Sequence, residues 1–294
     1  MSPVENIVYE GKLLRVGAFR CPLDDPKFNN SGLIGSHLVV FPRTSIAITH
    51  AGGEPIIANP NVVMFYNKDQ VYYRKAISER GDKCEWYDFH PQVLLDALSI
   101  YDPVVLEHLE HPFTFACGPS HPSSYLQQRL VFRHIRESTT PDPLYVEETM
   151  LCVLQHVLDL AYQRWGLQTG RITSRTINHK EIIRSVQLLL AARFQEHLTL
   201  EGIAAEFNYS PYHLAHIFRQ QTGQTIHAYL NQIRLRTALD YLQSDVNLTQ
   251  LALTLGFSSH SHFTQAFRQA FGRSPSQLRR HQAPDFKQKR ARIR

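Results

Sequence analysis

The 294-residue sequence has few cysteines and no long apolar run. Its four cysteines are widely spaced and form no CxxC pair, so a zinc site built on close ligand pairs is unsupported. They are Cys21, Cys84, Cys117 and Cys152. Free thiols in a reducing compartment are expected, with redox or metal sensing as the alternative. No apolar run reaches the roughly 18 residues of a membrane span, and the N-terminus lacks the pattern of a secretory signal. A cytoplasmic location without membrane contact is therefore expected.

Motifs typical of enzymes are also missing. No Gly-rich phosphate loop or nucleophile elbow occurs, and no HxH followed by Glu lies in the first half. The pair His260 and His262 falls in a predicted helix, where positions i and i+2 point to different faces. We therefore expect no catalytic residue, no metal and no cofactor. A metal enzyme with a cupin fold is the alternative that the 16 histidines leave open.

The net charge of +5 is unevenly distributed. From Lys180 to the end there are 15 lysines and arginines against 7 acidic residues, whereas the preceding part has 16 against 19. A basic C-terminal region beside a mildly acidic remainder predicts that one module binds a polyanion. Charge alone would equally suit a membrane surface or an acidic protein.

The first 115 or so residues are predicted to be mostly β-structure. Short apolar runs are separated by Pro and Gly residues, a pattern typical of a small barrel or sandwich. The predicted strands cover residues 37–41, 45–49, 62–66, 71–74 and 84–89.

Helical spacing follows at residues 123–137 and 146–165. The second segment carries an apolar stripe at Val146, Met150, Val153, Leu154, Val157, Leu158 and Ala161. The stripe could cover the barrel or form a surface for self-association, and the sequence leaves both open. Residues 167–179 are polar and are predicted to be a linker between two domains, 1–166 and 180–282.

The C-terminal domain contains an internal repeat. The segment 199–210 resembles 247–258 at an offset of 48 residues, and after one inserted residue the offset becomes 49. In each copy a capping residue, Thr199 or Asn247, precedes a short helix. Asn208 and Gly256 stand at the predicted turns, because both residue types tolerate left-handed backbone angles. Ser210, and in the other copy Ser258 or Ser259, can then cap a second helix.

Two helix-turn-helix motifs are therefore predicted, joined by a helix over 226–242. That helix would be about 25 Å long at about 1.5 Å per residue. The second helix of each motif is predicted to be polar and almost free of carboxylates on its outer face, which suits base edges in a major groove. A rigid spacer of this size could place the two helices about one duplex turn apart, roughly 34 Å.

These residues together resemble the AraC/XylS family of bacterial transcription regulators. The resemblance covers about 100 residues and rests on segment 210–219, Gly223, Tyr229-Leu230, Arg234-Leu235 with Ala238, segment 251–268, Gly272 and Pro275. It implies base contacts from Tyr212, Ala215 and His216 in the first motif and from His260, Ser261, His262 and Gln265 in the second. Arg219, Arg268 and Ser210 fit contacts to phosphate. The sequence departs from the family at His216, where Arg is common, so strong guanine readout there is not expected.

The resemblance also implies an α+β two-domain fold. An N-terminal cupin-like barrel with flanking helices would bind an effector or dimerise, and an all-α C-terminal domain would bind double-stranded DNA. The implied partners are DNA, a second copy of the chain, RNA polymerase and a small-molecule effector, whose binding residues are unknown. The basic tail 283–294 is expected to be a solvated end, with a loose phosphate-binding arm as the alternative.

Overall fold

The computed structural model describes residues 4–28, 33–50, 52–168, 174–242 and 246–280. The predicted tail 283–294 lies outside these residues. Within the described ranges no helix has the length and apolar character needed to cross a membrane.

The N-terminal half is built on two antiparallel sheets. The larger has six strands in the order β1-β2-β8-β3-β6-β9: β1 (Val4–Glu10), β2 (Leu14–Cys21), β8 (Asp82–Phe89), β3 (Leu38–Pro42), β6 (Val62–Tyr66) and β9 (Cys117–Pro119). The smaller has the order β5-β4-β7: β5 (Ile56–Ala58), β4 (Ile46–His50) and β7 (Tyr72–Ala76). The β-rich first domain predicted from the sequence is confirmed.

Both faces of the six-stranded sheet are buried. Because side chains alternate between faces along a strand, β8 directs Trp86 to one side and Tyr87 to the other. Trp86 packs with residues of the smaller sheet, such as Ile46 and Ile48, in one apolar core. Tyr87 packs in a second core that contains the helices. The domain therefore has three layers, with the large sheet in the middle.

Helices cover the face of the large sheet that points away from the small sheet. They are α1 (Pro91–Ser99), α2 (Pro122–Glu137) and α3 (Pro143–Gln168), with a short 3₁₀ helix at Pro103–Glu107. The α3 stripe from Val146 to Ala161 is buried within the domain. Of the two roles that the sequence left open for this stripe, the structure supports covering the sheet. Self-association through the same side chains is not compatible with their burial.

The C-terminal half is helical throughout its described residues. Its helices are α4 (Ser174–Ala192), α5 (Leu200–Glu206), α6 (Pro211–Thr222), α7 (Ile226–Tyr241), α8 (Leu248–Thr254), α9 (His260–Phe271) and α10 (Pro275–Arg280). Helix α4 includes part of the region predicted to be a linker. The α+β architecture expected from the sequence is confirmed.

Helix α7 joins the two halves as well as the two helix-turn-helix units. Arg236, only 1% exposed, extends from α7 into the N-terminal half. Its guanidinium donates to the carbonyl oxygens of Pro60 at 2.8 Å and Ser120 at 2.6 Å, and to the side chain of Asn61. It also lies over the ring of Tyr125, with 5.3 Å to the centroid. Burial lowers the pKa of Arg236 to about 10, which still leaves the group charged at neutral pH.

An ionic cluster lies beside this contact. Within the N-terminal half, Arg43 and Arg129 both donate to the buried carboxylate of Glu85. The same two arginines pair with Asp240 of α7, through Arg43 Nε at 3.2 Å and Arg129 Nη2 at 3.4 Å. We refer to Arg43, Glu85, Arg129, Arg236 and Asp240 as the interdomain cluster. Because Arg236 and Asp240 find these partners only in the N-terminal half, separating the halves would leave both groups without them.

Replacing Arg236 should therefore destabilise the whole chain. Arg236→Met keeps the apolar stem but leaves the carbonyls of Pro60 and Ser120 without their donor. We expect the free energy of unfolding to fall by about 3 kcal/mol, as for other buried polar groups that lose a partner. Urea unfolding followed by circular dichroism would measure this change.

The matched control is Arg219→Met, because Arg219 is exposed on α6. Its effect should stay within about 0.5 kcal/mol. Equal effects of the two substitutions would contradict the structural role assigned to Arg236.

Candidate nucleic-acid interface

Two helix-turn-helix units form the repeat predicted from the sequence. The first helices, α5 and α8, begin 48 residues apart, and the second helices, α6 and α9, begin 49 residues apart. Both second helices have 12 residues and end at a glycine with positive φ, Gly223 at 77° and Gly272 at 72°. The inserted residue therefore lies in the turn between the two helices of the second unit.

The predicted capping residues occupy their positions. Thr199 accepts a hydrogen bond from the N–H of Gly202 at 3.1 Å, and Asn247 accepts from those of Thr249 and Gln250. Ser210 caps α6, with Pro211 in its first turn, and Ser259 rather than Ser258 caps α9. These bonds satisfy N–H groups that have no partner inside the helix.

The turn of the second unit requires glycine for two reasons. Gly256 has a φ of 85°, and a β-carbon there would lie 2.7 Å from the carbonyl oxygen of Gln195 and 2.8 Å from Arg234 Nη2. Arg234 itself donates to the carbonyls of Phe194 and Glu196 and lies over the ring of Phe257. Arg234 thus links the turn of the second helix-turn-helix unit to the residues that follow α4. In the first unit Asn208 takes the left-handed conformation with a φ of 56°.

Helix α6 places the predicted residues of the first unit on its outer side. Leu214, Ile217 and Phe218 are buried beneath it. Tyr212 is 83% exposed, and its ring stacks at 6.4 Å on that of His216, which is also exposed. Ala215 is half-buried between them, while Arg219 is exposed one turn further along. The face is therefore a short aromatic and cationic strip.

Helix α9 presents a broader polar face. Phe263, Phe267 and Phe271 anchor its inner side, and the outer side forms a shallow surface lined by His260, Ser261, Thr264, Gln265, Arg268 and Gln269. Ser261, Gln265 and Arg268 are exposed, while His260 is half-buried and lies 3.4 Å from the hydroxyl of Thr264. Four of the five residues predicted for this helix, counting Arg268, therefore lie together on one surface.

His262 is placed differently from its predicted companions. Its Nδ1 lies 3.2 Å from the hydroxyl of Ser258, and its ring packs edge-on against Phe257. The ring also lies parallel to that of His227 on α7, with 6.4 Å between centroids. Burial lowers the pKa of His227, with the neighbouring His262 as a second cause. His262 therefore contributes to the packing of the turn, and only part of its ring is accessible.

Sequence reasoning missed two residues of the α9 surface. Thr264 follows His260 by four positions, and Gln269 follows Gln265 by four, so helical periodicity could have found both. It also missed the interdomain cluster, because isolated Arg and Asp residues in a helix are normally solvated.

The two outer faces share one electrostatic property. Helices α6 and α9 contain no Asp or Glu, and each carries an arginine in its last turn. Within the described ranges, neither Arg219 nor Arg268 has an acidic partner within 4 Å. Helix α7 lies between the two units and is about 24 Å long for its 16 residues. No group of three potential metal ligands occurs among the described residues.

The C-terminal domain is similar to known helix-turn-helix proteins. Residues 203–281 match a family model described as a helix-turn-helix domain. The activator RhaS of Klebsiella pneumoniae is 32% identical over 114 residues, which are 38% of this chain and 41% of RhaS. The right origin-binding protein of Escherichia coli is 33% identical over 100 residues, 34% of this chain and 35% of that protein. The chain thus spans about two fifths of the length of these relatives.

The Msm operon regulatory protein of Streptococcus mutans matches over a longer stretch. It is 25% identical over 167 residues, 56% of this chain and 59% of that protein. Among solved structures, the C-terminal domain of AraT from Geobacillus stearothermophilus is 27% identical with a TM-score of 0.34, covering 40% of this chain and 93% of that one. Fatty-acid-bound ToxT of Vibrio cholerae is 13% identical with a TM-score of 0.36, covering 92% and 96%.

The family match extends over both helix-turn-helix units. The C-terminal domain is similar to these regulators, and the resemblance to the AraC/XylS family noted in the sequence is confirmed for this domain. The relatives are regulatory proteins by name, which agrees with the expectation that the chain is not an enzyme.

The turn of the second unit gives a test of this geometry. Gly256→Ala and Gly272→Ala both place a side chain at positive φ, but a β-carbon at Gly272 would meet no atom within 4 Å. The Gly272 variant should lose about 1 kcal/mol of stability, from backbone strain alone. The Gly256 variant should lose about 3 kcal/mol because its β-carbon also collides with backbone. Urea titration of the two variants measures both values, and similar losses would refute the close approach at Gly256.

Proposed function

We propose that the chain is a sequence-specific transcription regulator that binds double-stranded DNA. The observation that carries this proposal is the duplicated helix-turn-helix unit, with two exposed polar helices that lack carboxylates. Such faces avoid repulsion from phosphate and offer hydrogen-bonding groups to base edges. One chain would insert α6 and α9 into successive major-groove segments, with α7 between them. A cytoplasmic location follows from this proposal.

The two faces would contribute differently. We assign base contacts to Tyr212, Ala215 and His216 of α6, and to His260, Ser261, Gln265 and part of the ring of His262 on α9. Arg219 and Arg268 would hold phosphates, as would the backbone around the cap Ser210. Since α9 has more exposed hydrogen-bonding groups, we expect the second unit to carry more of the sequence preference.

Selection from a random duplex pool tests the function. The full chain is the appropriate reagent, because the isolated C-terminal half would expose the buried Arg236. Enrichment of one sequence pattern, with affinity that falls steeply with salt, is the expected result. Equal affinity for all duplexes would leave only nonspecific binding and overturn the proposal.

Two substitutions in α9 should separate the assigned roles. Gln265→Ala should cost about 1–3 kcal/mol on the preferred duplex and relax the preference at one base position. Arg268→Ala should weaken binding similarly on all duplexes and reduce the slope of log affinity against log salt by about one. Fluorescence anisotropy at several salt concentrations measures both effects.

Gln92→Ala is a suitable control, because Gln92 is exposed on α1 in the other half of the chain. It should leave the affinity unchanged. An equal loss on all sequences for Gln265→Ala would contradict its assignment as a base contact.

We further propose that the N-terminal domain responds to a small-molecule effector. A cavity of about 290 Å³ lies between its two sheets, near the lower end of the range of small-molecule sites. The large sheet, which forms one of its walls, packs on its other side against the helices and the interdomain cluster. This position suits a regulatory ligand better than a catalytic centre.

We also propose that the chain forms a homodimer through the N-terminal domain and, as a regulator, contacts RNA polymerase. Support for the dimer comes from a run of large apolar side chains that are 49–65% exposed. They are Ile100, Val104, Leu106 and Leu109. Exposed apolar patches commonly mark protein contacts.

Charge in this patch should separate the subunits. Leu106→Asp combined with Leu109→Asp should shift the sedimenting species from dimer to monomer without loss of secondary structure, because an unpaired charge in an apolar contact is costly. Leu253→Asp on α8 is the control, since Leu253 is also about half exposed, at 51%. A dimer that survives both N-terminal substitutions would exclude this patch.

A further inference from the structure

The cavity between the two sheets has a chemical character that restricts its ligand. Its walls come from both sheets, and many of the lining side chains are apolar. Val40, Met64 and Trp86 line it from the large sheet, and Ile46 and Ile48 line it from the small one. These side chains belong to a core that is buried in the folded chain. A ligand against this part of the wall would contact apolar side chains.

Aromatic rings form much of the remaining wall. Phe19, Tyr66, Tyr72 and Trp86 all line the cavity. The indole of Trp86 lies across Gly17 of the neighbouring strand, and a β-carbon at Gly17 would be only 2.0 Å from its ring. Gly17 therefore leaves the space that lets the indole lie along this wall. Ring faces of this kind favour a flat ligand, which can stack on them.

The two buried charged residues of this wall, Arg74 and Asp82, neutralise each other. Arg74 donates to Asp82 at 3.1 Å and to the carbonyl oxygens of Phe28 at 3.1 Å and Lys27 at 3.3 Å. Its guanidinium also lies 4.9 Å from the centre of the Phe19 ring. A carboxylate or phosphate would have to displace Asp82 to pair with Arg74. The wall therefore does not favour an anion.

Two further charged residues of the wall, Glu5 and Lys27, are exposed to solvent, whereas two buried titratable groups are neutral. Burial raises the pKa of the Tyr66 phenol and of the Cys84 thiol well above their ordinary values. Both groups stay protonated at neutral pH and add no charge. In the buried part of the wall, a cationic ligand would therefore find only the Asp82 carboxylate, which Arg74 already occupies.

A buried donor of one wall residue lacks a partner in the part of the chain that the structure describes. The indole Nε1 of Trp86 has no hydrogen-bond acceptor there, although Trp86 is only 6% exposed. A buried donor without a partner costs about 1–3 kcal/mol, and buried Trp N–H groups usually find an acceptor. An acceptor carried by a ligand would remove this cost.

We propose that the cavity binds an uncharged, flat and mostly apolar molecule whose hydrogen-bond acceptor receives the N–H of Trp86. This ligand class rests on the proposed effector role of the N-terminal domain and deepens it.

Three probes of similar shape distinguish a neutral ligand with an acceptor from a neutral ligand without one and from an anion. Acetophenone is neutral and carries a carbonyl acceptor, α-methylstyrene replaces that oxygen by a CH₂ group, and benzoate carries a charge. Isothermal titration calorimetry with the full chain should find acetophenone binding about five- to tenfold more tightly than α-methylstyrene, as one net hydrogen bond of about 1 kcal/mol predicts. Benzoate should bind most weakly.

Two variants locate the binding. Trp86→Phe keeps an aromatic ring but removes the donor, so acetophenone should fall to the affinity of α-methylstyrene, whose own affinity should change little. Ala58→Leu adds volume to the cavity wall and should weaken both neutral probes. Thermal unfolding of each variant shows that it is folded, and Ala58→Leu still tests the site if Trp86→Phe is unstable.

Tightest binding of benzoate, an unchanged preference for acetophenone in Trp86→Phe, or no saturable binding of any probe would overturn the ligand class. Sequence-specific DNA binding by the same preparation distinguishes this failure from that of the proposed function. If the chain selects a duplex sequence yet binds none of the probes, only the ligand class fails.

Discussion

The burial of Arg236 is the interaction on which the arrangement of the two domains depends. A guanidinium removed from water is costly unless acceptors surround it, and here each acceptor comes from the other half of the chain. In the same way, Asp240 of α7 is paired with Arg43 and Arg129 of the N-terminal half. Because Arg236 and Asp240 have these partners only when α7 is docked, the contact favours one relative placement of the domains over a range of loosely packed ones.

This contact uses the helix that connects the two helix-turn-helix units. Most of α7 is buried, including the consecutive residues from Ile233 to Leu239. Helix α7 therefore forms a buried support for both helix-turn-helix units. It differs in this from a surface helix, which has one solvated side. Arg234 points into the C-terminal domain while Arg236, two residues later, points into the N-terminal one. Two arginines that lie two positions apart on α7 thus contact opposite halves of the molecule.

The sequence predicts the parts of this fold whose stability is local. Strands β3, β4, β6 and β8 follow from short apolar runs, and the repeat follows from caps, turns and apolar spacing. Strand β2 was missed because Arg15, Gly17 and Arg20 interrupt its pattern, and β5 because three residues carry too little pattern. The α9 surface was largely predictable, since exposed polar positions recur at helical spacing. The interdomain cluster was not, because its buried charges are stabilised only by partners distant in sequence.

Strand β8 shows how closely the cavity and the interdomain cluster are connected. Cys84 and Trp86 line the cavity, whereas Glu85, between them, is buried on the opposite face and accepts from Arg43 and Arg129. The end of β5 has a similar position, since Ala58 lines the cavity and the next residue, Asn59, donates to the hydroxyl of Tyr229 on α7 at 2.8 Å. Only the thickness of one sheet separates the cavity from α7, the helix between the two helix-turn-helix units. Closely packed interiors transmit small displacements, so a change in the position of β8 would reach Asp240 through two arginines.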